Sequence, residues 1–246
     1  MKQGRVVVIT GAAGGIGSKL VARFLSNQDQ VFAIDNRADA LAVLRDCFPA
    51  EDRLEAIEGD VSNEADTQRL AQVVRERAGR VDVLVNCAGY YPVVPFEEMS
   101  YANWQEVLSI NLSSAFLMVR ALLPLMKGRG WGKIVNIGSG SVFEGVPGQT
   151  HYVAAKAGIV GFSRSLAMEV GGYGINVNVI EPGLTMTDPV RREMPASILE
   201  DQVKARALKR DEQPFDLAGP VFFLASPDAD FVTGQSLIVD GGKLKH

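Results

Sequence analysis

The chain has 246 residues, 47% of them hydrophobic and 22% charged, enough for one substantial α/β core of ordinary globular composition. Its formal net charge is −4, which excludes the basic footprint of a nucleic-acid binder. Cys47 and Cys87 have no metal-ligand spacing and make no disulfide framework, so a reducing cytoplasm is expected; no signal peptide is expected ahead of Arg5, and no apolar stretch long enough to cross a bilayer.

Arg5–Thr10 reads as a buried strand, and Gly11-Ala-Ala-Gly-Gly-Ile-Gly17 follows it directly. A helical run from Ser18 to Leu25 comes next. Strand, glycine loop, helix is the setting that turns a glycine pattern into a dinucleotide signal. Gly11, Gly15 and Gly17 let the backbone turn tightly and approach a pyrophosphate, with Ile16 counted in the same binding loop. The free N–H groups at the helix start favour that anion.

A second strand, Gln30–Ile34, ends in Asp35. An acidic residue about 20 positions beyond the glycine loop is placed to hold adenosine ribose hydroxyls, and its charge repels the extra phosphate of NADP. NAD is therefore the expected cofactor. Arg37 offers the opposite option, because arginine can accept that phosphate; its plainer role is a solvated charge at a helix start.

A third strand covers about 53–58 and leads to Gly59-Asp60-Val61, where Asp60 can also serve as a helix cap or turn residue. A helix with a charged face is expected over 64–77. The fourth strand, Val81–Asn86, runs into Cys87-Ala88-Gly89, whose small residues suit close approach to a cofactor. A proline-broken apolar loop, Tyr90–Phe96, follows. One long helix is expected over 103–127, and Asn111 inside it asks for a reason, since asparagine is a poor interior helix residue.

The stretch from Gly132 to Lys156 carries the chemistry. Ile134–Ile137 suits a buried parallel strand, a loop covers 138–148, and a helix begins at about His151. Ser139 lies just past the strand end, where open α/β sheets place their active sites. Tyr152 and Lys156, four apart on the helix, share a face. A tyrosine phenol titrates near pKa 10 in water, too high for a base at neutral pH. A nearby ammonium favours the phenolate, and a serine hydroxyl can hold the substrate oxygen while the tyrosine exchanges its proton.

Ile175–Ile180 is another strand, ended by the turn chemistry of Glu181-Pro182-Gly183. Residues 184–214 are the least regular part and carry Met186, Val190, Met194 and a mixed-charge run. A last helix, 216–225, and a strand, Ser236–Val239, end in Asp240-Gly241-Gly242. No repeat or linker interrupts the alternation of strands and helices. One domain over 1–246, with a single parallel sheet covered by helices on both faces, is the consistent architecture. His151 and His246 are lone histidines, so no metal is expected.

Ser139, Tyr152 and Lys156 at these spacings, together with TGAAGGIG at 10–17, resemble the short-chain dehydrogenase/reductase family over essentially the whole chain. The resemblance implies a Rossmann-type, doubly wound domain that transfers hydride between NAD and an alcohol or ketone. It implies that Ser139 positions the substrate oxygen, Tyr152 is the acid/base, Lys156 holds the nicotinamide ribose and lowers the tyrosine pKa, and Asn111 holds a water that completes a proton relay. Asp60 and Val61 would flank the adenine, Asn86, Ala88 and Gly89 would line the cofactor, and Pro182, Gly183 and Thr187 would embrace the carboxamide. Residues 184–214 would form the substrate lid. Cys87 stands where the family usually has a second asparagine.

The segments at 91–112, 130–136 and 239–246 resemble the bacterial subgroup that contains 1-phenylethanol dehydrogenase and pyridoxal 4-dehydrogenase. The expected substrate is a compact, mainly apolar secondary alcohol or its ketone, with an aromatic ring favoured. Ser139, Ser141, Phe143, Tyr91 and Met186 would line it, joined by Gly140, Val142, Tyr90, Val93 and Met194. Glu144, Arg191 and Arg192 would favour an acidic or phosphate-bearing substrate if an arginine turned inward. The alternatives are a 3-oxoacyl-carrier-protein reductase or general ketone reductase, and a dinucleotide sensor without chemistry. The presence of Asn111, Ser139, Tyr152 and Lys156 together argues against the sensor. Nucleic-acid and membrane partners are not expected. The resemblance implies a homotetramer, with the apolar Phe222, Phe223 and Leu224 and the terminal strand suited to burial between subunits.

Overall fold

A computed structural model describes residues 4–245, so His246 lies outside the described residues. Among the described residues, seven strands form one sheet: β1 (Val6–Thr10), β2 (Gln30–Asp35), β3 (Leu54–Glu58), β4 (Val83–Asn86), β5 (Gly132–Ile137), β6 (Ile175–Pro182) and β7 (Ser236–Val239). Their spatial order is β3-β2-β1-β4-β5-β6-β7, and every pairing is parallel. The order reverses between β1 and β4. A crevice therefore opens beyond the C-terminal ends of those two strands, which is where this architecture binds ligands.

The strands read as continuous apolar runs because both faces are covered. Successive side chains alternate in direction. Val7 and Ile9 pack with Leu20, Phe24 and Val221 on one face, while Val6 and Val8 pack with Leu70, Met118 and Leu122 on the other.

The helices are α1 (Gly15–Ser26), α2 (Ala38–Asp46), α3 (Glu64–Ala78), α4 (Tyr101–Leu108), α5 (Ser114–Met126), α6 (Ser141–Glu144), α7 (Thr150–Val170), α8 (Asp188–Glu193), α9 (Ala196–Ala205) and α10 (Ala218–Leu224). Asn63 caps α3 by accepting from the Asp66 N–H, and Gly79 closes it in a left-handed conformation. Ser100 and Asn103 form a reciprocal capping box at the start of α4.

Three expectations need correction. The long helix is not uniform: Ser109–Ser113 forms a π-helical turn between α4 and α5, and Asn111 sits in it. Its side-chain Nδ2 donates to the Val107 carbonyl four residues back, an interaction a regular helix would give to its backbone.

The combined helical run Tyr101–Met126 is also long and apolar enough to cross a bilayer, with a mean hydropathy of 1.6. Much of that apolarity serves the sheet, against which Met118, Val119, Leu122 and Met126 are buried.

The third correction concerns the segment chosen for subunit burial. Leu224 is in the protein's own core, and Phe222 packs against Phe24 beneath the guanidiniums of Arg5 and Arg23. Only Phe223 of the three is exposed.

Candidate active site

The glycine loop fits a dinucleotide. Gly11 has φ +61, a conformation that side chains disfavour, and a Cβ there would lie 2.8 Å from the Ala88 Cα. A Cβ on Gly17 would lie 2.1 Å from the Gly11 carbonyl oxygen, so the loop can close only on glycine. No side chain caps α1, which leaves its first N–H groups free for a phosphate. Gly15 is exposed beside the Thr187 methyl, which brings the loop after β6 against the glycine loop, and Ile16 is half-buried next to them.

Asp35 is 5% exposed at the end of β2. One carboxylate oxygen accepts from the Ala13 N–H at 3.0 Å, and the other accepts from both Arg37 N and Nε at 3.2 Å. Asp35 thus ties the glycine loop to its strand, and Arg37 leans over it. Asp60 is exposed and closes a local turn by accepting from Ser62 N and Oγ, while Val61 is buried.

Thr10, the first residue of the TGAAGGIG run, clasps the crevice. Its Oγ1 accepts from the N–H groups of Cys87 and Ala88, joining β1 to the loop after β4. Asn86 is spent on the frame: its Nδ2 donates to Asn136, whose Nδ2 donates to Ser163 on α7. Burial pushes the Cys87 thiol up to about 12, against the pull of Lys156, so it stays protonated and unreactive at neutral pH.

The structure brings Ser139, Tyr152 and Lys156 together. The Tyr152 phenol shares a hydrogen bond with Ser139, and Lys156 Nζ lies 5.6 Å from the tyrosine ring centre. Ser139 Oγ also accepts from Ser141, at 3.2 Å from its N–H and 2.9 Å from its hydroxyl. Lys156 is 3% exposed and donates to the Ile137 carbonyl at 2.8 Å.

The expected influence of lysine on tyrosine is not what the structure shows. Burial pushes the phenol up to about 12, with Tyr91 and Glu181 adding to the rise and only the Ser139 hydrogen bond opposing it. The lysine is itself pushed down to about 8, again by burial. Its ammonium points at a carbonyl, so it does not offset the desolvation of the phenol.

Asn111 clamps the backbone of the loop after β4. Its Nδ2 donates to the Tyr90 carbonyl at 2.7 Å and its Oδ1 accepts from the Tyr90 N–H at 3.2 Å. The loop leading to Tyr91 is thereby fixed. A Cβ on Gly89 would lie 3.2 Å from Asn111 Oδ1 and 3.7 Å from Lys156 Nζ, so the amide and the ammonium flank the same glycine. His151 is fully buried, and its Nδ1 accepts from the Tyr152 N–H at 2.9 Å.

The Tyr91 ring stands edge-on to Tyr152 at 6.4 Å, and Phe143 on α6 is exposed. Met186 is buried at the base of the lid. The segment 184–214, expected to form a lid, is more ordered than its sequence suggests. It holds α8 and α9, and Thr185 and Glu212 bridge its two ends, with a hydrogen bond of 2.6 Å between their side chains. Buried Arg206 donates to the carbonyls of Leu184 and Asp240.

Gly183 is packed so closely that a Cβ would meet Glu212 at 2.7 Å, and the Pro182 carbonyl accepts from Gly140 N. Arg191 donates to Gln213 and is exposed, as is Arg192, so neither turns inward. Glu144 is paired with Lys243, which also reaches Gln202 on α9, and Leu244 lies against Gly140. The tail after β7 thus forms part of the rim, through contacts nearly 100 residues apart.

A crevice at the strand-order reversal, a glycine cradle and a serine–tyrosine–lysine cluster at its mouth define a Rossmann-type oxidoreductase. Residues 5–197 match the family model described as short chain dehydrogenase, and the chain belongs to that family. It is 33% identical to an acetoacetyl-CoA reductase of Allochromatium vinosum, over 98% of this chain and 99% of the relative. It is 35% identical to the 3-oxoacyl-[acyl-carrier-protein] reductase FabG of Haemophilus influenzae, over 98% of both. A crystal structure from Brucella melitensis, titled as a short-chain dehydrogenase/reductase of glucose/ribitol dehydrogenase type, superposes with a TM-score of 0.91 at 31% identity, covering 98% of this chain and 97% of that one. Members of the family typically use NAD(P)(H).

Proposed function

We propose that the protein interconverts a secondary alcohol and a ketone with NAD(H), on a compact and mainly apolar substrate. The observation that carries this is the contact of half-buried Tyr152 with half-buried Ser139 beside buried Lys156, at the mouth of the dinucleotide crevice. The dinucleotide, held by Gly11, Gly15, Gly17 and Asp35 with Thr187 closing over it, supplies the hydride acceptor or donor. Ser139 holds the substrate oxygen, Tyr152 takes or returns its proton, and Lys156 holds the ribose. The walls offered by Tyr91 and Phe143 support an apolar, ring-bearing substrate, as in the subgroup of 1-phenylethanol and pyridoxal 4-dehydrogenases. The outward arginines argue against a phosphate-bearing one.

The second reading, reduction of a 3-oxoacyl thioester, is favoured by the two reductases to which the chain is similar. One experiment separates them: kcat/KM for 1-phenylethanol-like alcohols, polyols, hydroxy acids and 3-oxoacyl thioesters, each with both cofactors. The apolar alcohols are expected to lead, with NAD(H) preferred, and Asp35→Ser is expected to narrow that preference. A leading thioester would hand the assignment to the second reading. Equal efficiency with both cofactors in the unaltered protein would show that Arg37 governs the ribose site.

The protein is further expected to be a cytoplasmic homotetramer. The exposed Phe116 on α5 and the half-exposed edge strand β7 support burial against other copies. Light scattering at micromolar concentration is expected to give four times the chain mass of 26.5 kDa. A monomer mass would overturn this.

A further inference from the structure

The proposed chemistry leaves one buried carboxylate unused. Glu181 is 0% exposed at the end of β6, and its Oε2 accepts from the backbone N–H of Ser139, 42 residues earlier. The flanking N–H groups of Gly138 and Gly140 bond to the carbonyls of Ile180 and Pro182, at 2.7 and 2.8 Å. Three consecutive N–H groups around the serine are therefore held by three consecutive residues of β6, the middle one through a side chain. Gly138 is matched to this arrangement, since a Cβ there would lie 2.2 Å from Glu181 Oε2.

We propose that Glu181 is a positioning residue: its carboxylate clamps Ser139 from behind and presents a buried negative charge to Tyr152 and Lys156. The titratable and charged groups facing it are Tyr152, Lys156 and Arg164 from α7, with the Ser236 hydroxyl from β7 at 3.3 Å. Burial pushes the Glu181 carboxyl above its ordinary range, and the Ser139 N–H, Lys156, the Ser236 hydroxyl and Arg164 pull it back toward the charged form; an apolar residue at this point would avoid that cost. What an apolar residue could not do is hold the serine backbone or bias the two groups beside it. The charge acts in one direction on both: it disfavours the phenolate and favours the ammonium.

The activity half of this inference rests on the reaction proposed above, so the decisive readout does not use turnover. The tyrosinate absorbance of Tyr152 is titrated in the cofactor-free protein, as the difference between each protein and its Tyr152→Phe counterpart. Glu181→Gln keeps an acceptor for Ser139 but loses the charge, and its Tyr152 titration is expected about half a unit or more lower in pH. The rising limb of kcat/KM for alcohol oxidation is expected to move the same way. Glu181→Asp keeps the charge but shortens the reach, and is expected to lower kcat without moving the titration. A fall in melting temperature with both titrations unmoved would reduce Glu181 to a structural residue and overturn the inference. If the titration shifts while no alcohol is turned over, the inference stands and the substrate reading fails.

Discussion

Tyr152→Phe is expected to lower kcat by about 100- to 10,000-fold, because positioned proton transfer contributes that much to a rate. The substitution removes one oxygen and keeps the ring that meets Tyr91 edge-on. The fold and the glycine cradle do not depend on that oxygen, so NADH binding is expected to stay close to the unaltered protein. The measurement is kcat across the full accessible pH range, beside a fluorescence titration with NADH. Retention of more than a small fraction of kcat at every pH would mean that another group moves the proton. The pH range matters because desolvation pushes the half-buried phenol up to about 12. Binding of a cofactor and substrate must favour the phenolate before Tyr152 can act as a base at ordinary pH.

Lys156→Ala is expected to damage both rate and cofactor affinity. A hydrogen bond to a charged group is worth about 1.5–3 kcal/mol, so the loss in NAD(H) affinity should be about tenfold or more. The sign of its pH dependence follows from burial. The lysine is pushed down to about 8, so its ammonium is present below that pH and is lost as the pH rises through it. Cofactor affinity of the unaltered protein is therefore expected to weaken above about pH 8, while Lys156→Ala should be weaker throughout and flat across that range. Equal affinities of the two proteins at pH 7 would remove Lys156 from the cofactor site.

The amino-acid sequence alone determined the sheet class, the glycine loop and the spacing of the serine–tyrosine–lysine cluster. Apolar runs such as Val6–Ile9 and Ile134–Ile137 announce strands buried on both faces, and the crossover rule turns their alternation with helices into a parallel sheet. Gly11–Gly17 and the four-residue spacing of Tyr152 and Lys156 are local patterns, readable because helix and turn geometry are local. The charged states of the cluster were not readable. They depend on how much water reaches each group, and burial moved Tyr152 up and Lys156 down where spacing alone suggested mutual help.

Only the tertiary structure decided which distant groups serve the site. The sequence shows Glu181 as one residue of a turn-forming run, and the parallel register of β5 with β6 places it under Ser139. Asn111 looked misplaced in a helix. The fold gives it a π-helical turn and the Tyr90 backbone to hold. Thr10, Arg206 and Lys243 likewise find their partners across 22 to 99 positions of chain. Periodicity reports a residue's neighbours within a turn or a strand. Contacts across a sheet are set by which strands pair and in what register, and that information exists only once the chain is folded.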